Sequence, residues 1–222
     1  MNKSIDISKL DSATLAKHLG NPEGEIGKAV TANLNTSNAG GYSVALAKLG
    51  MNAGDRVIEI GFGNGREIPR VLSLSADVTY FGIDISDTMV ADAAEFNADV
   101  VRQGRVTVTR GTSSAIPADA NTFDKALAIN TIYFWSDPSA DLREIRRVLR
   151  SDGRLVLGAL APWSAVGRPV FQHGFHLYEK SEIESLLASA RFSKVSIDTI
   201  NETVVPPMGQ PWNRDYFIIT AE

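Results

Sequence analysis

Short apolar runs alternate with amphipathic stretches along most of the chain. Val57, Ile58 and Ile60 form a β-branched run of the kind found in buried strands, with Glu59 interrupting it. Residues 66–74 then place Ile68, Val71 and Leu72 on one helical face, with Pro69 in the first turn, where its missing N–H is tolerated. The alternation continues through a strand at 78–84 and a helix N-capped by Ser86, in which Met89, Ala93, Phe96 and Val100 recur at helical spacing. Strands follow at 106–109 and 123–129. Asp137-Pro138 opens a helix that turns Leu142, Ile145 and Leu149 inward, and Asp152-Gly153 turns into a strand at 154–160. Ser181 is expected to cap a helix carrying Ile183, Leu186, Leu187 and Ala190. Two strands, 194–205 and 214–221, close the chain across a proline-rich junction at 206–211. Strands in direct succession pair antiparallel, because a parallel pair needs a longer crossover. The pattern predicts an α/β fold with a mostly parallel sheet covered on both faces.

The region before the first strand has a different pattern. Leu10, Leu15 and Leu19 suggest a helix stopped by Asn21-Pro22, and residues 25–34 a second. A polar, glycine-containing run at 35–41 reads as flexible, and residues 42–49 as a third helix ended by Gly50. Residues 1–50 are therefore expected to form a helical cap or lid, and residues 51–222 one compact domain.

Composition narrows the classes. The 222 residues are 44% hydrophobic and 22% charged, ordinary for a globular domain with a substantial core. A net charge of −4 argues against charge-driven binding of nucleic acid. The absence of cysteine excludes disulfides, thiolate metal sites and a cysteine nucleophile. The three histidines have no metal-ligand spacing, so no metal site is expected. No apolar run approaches the roughly 20 residues that span a bilayer. The first residues lack an apolar signal core, so the expected location is cytoplasmic.

The candidate chemistry gathers at residues 55–65, DRVIEIGFGNG, where Gly61, Gly63 and Gly65 follow the first strand. Such a turn brings backbone close to a nucleotide-like ligand, and glycine permits both the backbone angles and the close approach. Asp84, at the carboxyl end of the next strand, can accept both hydroxyls of a ribose. The third glycine comes one residue earlier than in the dinucleotide fingerprint, and Glu59 would repel a phosphate. An acid there suits a cationic adenosyl ligand, S-adenosylmethionine, better than a dinucleotide.

These residues resemble motif I, E/D-x-G-x-G-x-G, of the class I S-adenosylmethionine-dependent methyltransferases, with Asp84 at the family's ribose-binding acid. Residues 111–117, GTSSAIP, resemble the segment that contacts adenine, with Thr112 where the family usually carries aspartate. Phe123-Asp124, Asp137-Pro138 and the stretch from Leu142 to Leu149 match later motifs in order. The resemblance covers about residues 50–160 and is strongest to the small-molecule, ubiquinone/menaquinone-type branch. It implies a Rossmann-like, seven-stranded, mostly parallel sheet with strand 7 antiparallel. It also implies cofactor contacts from Glu59, Gly61, Gly63, Gly65, Asp84, Ile85, Met89, Thr112, Ser113 and Asn130, and a small-molecule acceptor.

The implied reaction is an in-line displacement at a sulfonium methyl, to which the protein contributes positioning and exclusion of water. Tyr133, within the stretch from Asn130 to Trp135 after the fourth strand, is a candidate to meet the acceptor. His173 and His176 are base candidates by type. Arg143, Arg146 and Arg147 read as a solvated face. Other readings are a phospholipid or other amine N-methyltransferase, a non-catalytic cofactor-binding accessory protein and, disfavoured by Glu59 and the glycine spacing, a nicotinamide-dependent oxidoreductase.

Overall fold

The computed structural model describes residues 5–205 and 210–222, so residues 206–209 of the expected proline-rich junction lie outside the described residues. Seven strands form one sheet: β1 Arg56–Ile60, β2 Thr79–Asp84, β3 Val106–Arg110, β4 Phe123–Ile129, β5 Leu149–Leu160, β6 Val195–Val204 and β7 Trp212–Ala221. Their order across the sheet is β3-β2-β1-β4-β5-β7-β6. All neighbours pair parallel except β7, which runs antiparallel to both β5 and β6. Helices flank both faces, which is why β1 and β4 are buried along nearly their whole length instead of alternating in and out. This is the Rossmann-like architecture that the resemblance implies.

The topology places the site. The chain leaves β1 toward β2 and β3 on one side, then returns to lay β4 on the other side of β1. At such a reversal the loops beyond the carboxyl ends of adjacent strands diverge and leave a crevice. Gly61 follows β1 there and Asn130 follows β4.

Among the described residues, eight α-helices surround the sheet: α1 Ser12–Gly20, α2 Gly24–Ser37, α3 Ala39–Leu49, α4 Ile68–Leu72, α5 Asp87–Phe96, α6 Ala98–Arg102, α7 Pro138–Val148 and α8 Lys180–Ser189. The polar run at 35–41 is helical, not a flexible loop: α2 runs to Ser37 and α3 starts at Ala39. Ser37 Oγ, which donates to the Asn33 carbonyl, and the Asn38 N–H, which donates to Leu34 O, satisfy the end of α2. Helix α3 packs on β4, β5 and β7, with Tyr42, Ala45, Leu46 and Leu49 in the main core. It lies in the sheet's own helical layer, while α1 and α2 overhang the crevice.

Other boundaries shift for local reasons. Helix α4 is a single turn, shorter than the expected 66–74. The helix after β2 breaks at Asn97, whose side-chain amide donates to Gly65 O at 3.0 Å and Ala93 O at 2.9 Å. Phe96 faces out beneath the Arg66 guanidinium, 3.7 Å from its ring centroid, and does not join the core. Asp152-Gly153 lies within β5, inside a bulge that shifts the register between Phe123↔Leu149 and Lys125↔Arg154. The Arg146 guanidinium donates to the carbonyls of Leu149, Arg150 and Ser151 across that bulge. Arg147 donates to Ile116 O and Ala118 O and pairs with Glu144. Arg143 and Arg147 are exposed, as expected of a solvated face, while Arg146 is half-buried; Arg146 and Arg147 also serve as structural ties. Helix α8 is capped by Glu179 and Glu182 reciprocally, not by Ser181.

Candidate functional site

A cleft of about 280 Å³ opens at the crevice beyond β1 and β4. Its floor is the turn after β1. Gly61 (φ +73°) and Gly63 (φ +60°) both adopt left-handed backbone and line the cleft. A Cβ at Gly61 would strike the Thr131 methyl group at 2.2 Å, whereas at Gly63 the nearest atom is the Thr31 methyl at 3.4 Å. Gly63 therefore keeps the cleft open where backbone meets ligand. Gly65 (φ +69°) has a different duty: a Cβ there would meet Ala93 Cβ at 2.6 Å, and Gly65 does not line the cleft. It lets the turn pack on α5.

Two buried carboxylates face this floor. Glu59 is 3% exposed and accepts hydrogen bonds from Tyr42 Oη at 2.8 Å and Tyr80 Oη at 2.7 Å. Burial pushes its pKa up to about 7, against the two hydroxyl donors, which pull it down. Asp84 accepts from the Gly63 N–H at 3.0 Å and the Ser86 N–H at 2.9 Å, and burial raises its pKa to about 6. Asp84 thus also ties the glycine turn to the end of β2. Ile85 is exposed on the cleft wall, placed to lie against a flat ligand. Met89, expected among the cofactor contacts, is fully buried and does not line the cleft. Its backbone N–H donates to the Ser86 hydroxyl that caps α5.

The far wall carries Thr112, Ser113 and Asp141. Ser113 Oγ donates to Asp141 Oδ1 at 2.6 Å, and Asp141 is buried, with burial raising its pKa. Thr112 and Ser114 hydrogen-bond each other at 3.1 Å. The wall above is built by α1 and α2 through Leu19, Thr31, Leu34 and Asn35. Lys28 pairs with Asp92 at 3.1 Å and Gly24 N–H donates to Thr88 Oγ1 at 3.1 Å, so this overhang is fastened to α5.

A second cavity of about 130 Å³ adjoins the first, and Leu19, Leu34, Asn38, Asn130 and Phe134 line both. Asn130 has φ +58°, and its Oδ1 accepts from Tyr133 Oη and Tyr216 Oη, each at 3.0 Å. Tyr133 lines the second cavity with its ring, 5.7 Å from that of Phe175. Its hydroxyl donates to Asn130 and accepts the Leu160 N–H, and burial holds its proton far above neutral pH. Arg168, Val170, Phe171 and Phe175 complete this wall. His173 and His176 are exposed and line neither cavity; the His176 N–H donates to Tyr133 O and its ring packs on Tyr178, 4.4 Å between centroids. The segment 161–178 contributes apolar side chains and Arg168 to the cavity, with the imidazoles of the two base candidates outside it.

The methyltransferase domain family model matches residues 58–157, the span from β1 through β5 that builds this cleft. Over this span the chain is similar to S-adenosylmethionine-dependent methyltransferases. It is 30% identical over 110 residues to the uncharacterized methyltransferase YdaC of Bacillus subtilis strain 168, covering 50% of this chain and 59% of that protein. It is also 30% identical over 135 residues to the ubiquinone/menaquinone biosynthesis C-methyltransferase UbiE of Citrifermentans bemidjiense, covering 60% of this chain and 56% of that one. The chain thus spans less than two thirds of the length of either relative. Among solved structures, Haemonchus contortus phosphoethanolamine N-methyltransferase 2, in complex with phosphomonomethylethanolamine and S-adenosylhomocysteine, aligns with a TM-score of 0.72 at 16% identity, over 96% of this chain and 60% of that one. A Thermotoga maritima S-adenosylmethionine-dependent methyltransferase aligns at 0.61 and 23% identity, over 86% and 93%. These likenesses establish the fold.

The motif acids fall on the cleft, but three of its polar side chains escape sequence reasoning. Tyr42 and Tyr80 come from α3 and β2 to hold Glu59, and Asp141 comes from α7. Each sits at a position that hydrophobic periodicity assigns to the core. Only the polarity of Asp141 on the inward face of its helix, beside Leu142, is a signal.

Proposed function

We propose that this chain transfers a methyl group from S-adenosylmethionine to a small molecule held in the second cavity. The observation that carries the reading is the junction of two unlike cavities at Asn130 and Phe134. One is floored by glycines and faced by the buried carboxylates of Glu59 and Asp84; the other is smaller and largely apolar. The cofactor fits the residues present. Thr131 Oγ1 lies buried on the cleft wall without a hydrogen-bond partner among the described residues, and a Cβ at Gly63 would come within 4 Å of the Thr31 methyl alone, at 3.4 Å. When bound, S-adenosylmethionine supplies a methyl group on a cationic sulfur that leaves as a neutral thioether.

The residues' duties follow from their chemistry. Glu59 attracts the ligand's cationic end, and its two tyrosine donors fix the carboxylate's orientation. Asp84 accepts from ribose hydroxyls while its backbone donors hold it in place. Ile85 covers one face of the adenine, and Ser113 with Asp141 meets its amine, in place of the aspartate replaced by Thr112. Helices α1 and α2 exclude water above. With both histidines outside and the Tyr133 proton firmly held, the second cavity offers the acceptor no histidine or tyrosinate base, and Glu59 and Asp84 of the first are engaged with the cofactor. The reading therefore favours an acceptor that is already nucleophilic, such as an oxyanion or a neutral amine, and catalysis by positioning.

Transfer of labelled methyl from S-adenosylmethionine to members of a panel of phenols, carboxylates and amines tests this. Labelled product is expected with wild type and a loss of at least tenfold with Asp84→Ala. Binding of S-adenosylhomocysteine without transfer to any panel member would instead support an accessory, non-catalytic role.

A further inference from the structure

The second cavity contains two arginines in unlike states. Arg214 is buried and fully engaged: its guanidinium bonds Glu202 from Nε at 2.8 Å and Nη2 at 2.7 Å and donates to Ser37 O at 3.0 Å. Glu202 balances its charge. Arg168 is half-buried and has no carboxylate within ion-pair range among the described residues, and residues 1–4 and 206–209 contain no Asp or Glu. No side-chain hydrogen bond from Arg168 is made among the described residues; its guanidinium instead stacks on the Trp212 ring, 4.0 Å from the centroid. The rest of the lining near it is Val170, Phe171, Phe175 and Val204.

An arginine placed in this way carries one uncompensated positive charge into an apolar cavity. Its five N–H donors lie in the guanidinium plane, and the indole underneath fixes that plane. The free edge of a stacked guanidinium matches two oxygens of a carboxylate or phosphate. The body that accompanies such a group is limited by volume: a cavity of about 150 Å³ takes a benzene ring, and this one is about 130 Å³.

We infer that the acceptor is a small anion, a one-ring or similarly sized apolar body bearing a carboxylate or phosphate, with the anionic group on Arg168 and the methylated end toward Asn130 and Phe134. The inference rests on the methyl-transfer reading above and deepens it. It also assigns Arg168, which no motif marks, as the residue that selects acceptors by charge. The aromatic contacts of Phe171 with Phe175, 5.0 Å between centroids, and with Trp212, 5.8 Å, hold the apolar end of the same pocket.

The test titrates the full chain, first with S-adenosylhomocysteine by calorimetry and then, at saturation, with benzoate, phenyl phosphate and the neutral isostere benzamide, following tryptophan fluorescence. At least tenfold tighter binding of one anion over benzamide is expected, and the better anion separates the carboxylate and phosphate arms. Arg168→Met is expected to abolish the preference while S-adenosylhomocysteine affinity stays within twofold; Arg168→Lys is expected to keep part of it. Equal binding of anion and neutral probe, no binding of either anion, or a preference that survives Arg168→Met overturns the inference. If Arg168 only braces Trp212, Arg168→Met weakens charged and neutral probes alike, which also overturns it. Failure of S-adenosylhomocysteine to bind would count against the methyl-transfer reading, whereas failure confined to the anions removes only the acceptor class.

Discussion

At the scale of single residues, the cleft is governed by charge held where burial opposes it. Glu59 is costly to ionise and is kept available by Tyr42 and Tyr80, whose hydroxyls donate to both carboxylate oxygens. Tyr80→Phe removes one donor from the ionised form. We expect a loss of about 1–3 kcal/mol in unfolding free energy at pH 8, the scale for stranding a charged acceptor, and a smaller loss at pH 5, where Glu59 is protonated. Urea melts at both pH values check this, and equal losses would show that the hydroxyl does not act on the charge. The glycines separate by the same reasoning. Gly65→Ala is expected to destabilise the fold by about 1–3 kcal/mol, since it adds a left-handed penalty to a clash with Ala93. Gly63→Ala meets only a methyl group at 3.4 Å, so it should cost less stability and reduce S-adenosylhomocysteine affinity more. Parallel melts and calorimetry on the two variants distinguish them. The spacing Gly61, Gly63, Gly65 was legible in the sequence, but the division of labour was not, because it depends on α5 arriving against Gly65 and open space remaining above Gly63.

At the scale of elements, the strands were the legible part. Their apolar runs are short, β-branched and bounded by Gly, Asp or Asn, and burial on both faces leaves them nothing polar to disguise the pattern. The bulge in β5 was hidden because Asp152-Gly153 has turn chemistry, and only the Arg146 guanidinium across its carbonyls keeps it in the strand. Residues 35–41 misled for a similar reason: Asn, Thr, Ser and Gly have low helix propensity, yet packing of Tyr42 and Leu46 on the sheet draws α3 back to Ala39. The acceptor cavity was the least legible feature. Its wall at 161–178 has little regular structure, so no periodicity shows which side chains turn inward, and the histidines drew attention from Arg168. Helices α1 and α2 build the wall over the cleft, whereas α3 packs on the sheet and reaches the cleft near its start, through Tyr42. Amide exchange should therefore slow more in α1 and α2 than in α3 when S-adenosylhomocysteine binds. Equal protection of all three would mean that the overhang does not close on the ligand.

At the scale of the whole molecule, the chain reversal between β1 and β4 concentrates raised carboxylate pKa values at one crevice. Glu59 rises from 4.5 to about 7 and Asp84 from 3.8 to about 6. For both acids the folded state keeps protons that the unfolded chain has released, so their contribution makes stability fall as pH rises through about 4 to 7. Between pH 5 and 8 the ligand-free protein should lose on the order of 2 kcal/mol from Glu59 alone, on a scale of roughly 1.4 kcal/mol per pH unit. Glu59→Gln should flatten that slope, as urea melts across the range would show. Binding a cation beside Glu59 favours the ionised form, so the slope should also flatten with saturating S-adenosylhomocysteine, and an unchanged slope would place the ligand away from Glu59. No helix among the described residues is long and apolar enough to cross a membrane.

The central claim is that the glycine turn and Asp84 hold an adenosyl amino acid and not a dinucleotide. Calorimetric titration of wild type and Asp84→Ala with S-adenosylhomocysteine, and of wild type with NAD, tests it most directly. The account predicts one S-adenosylhomocysteine site, weakened by about 1–3 kcal/mol in Asp84→Ala through loss of charged hydrogen bonds, and no heat with NAD. Binding of NAD alone, or S-adenosylhomocysteine affinity unchanged in Asp84→Ala, would contradict it.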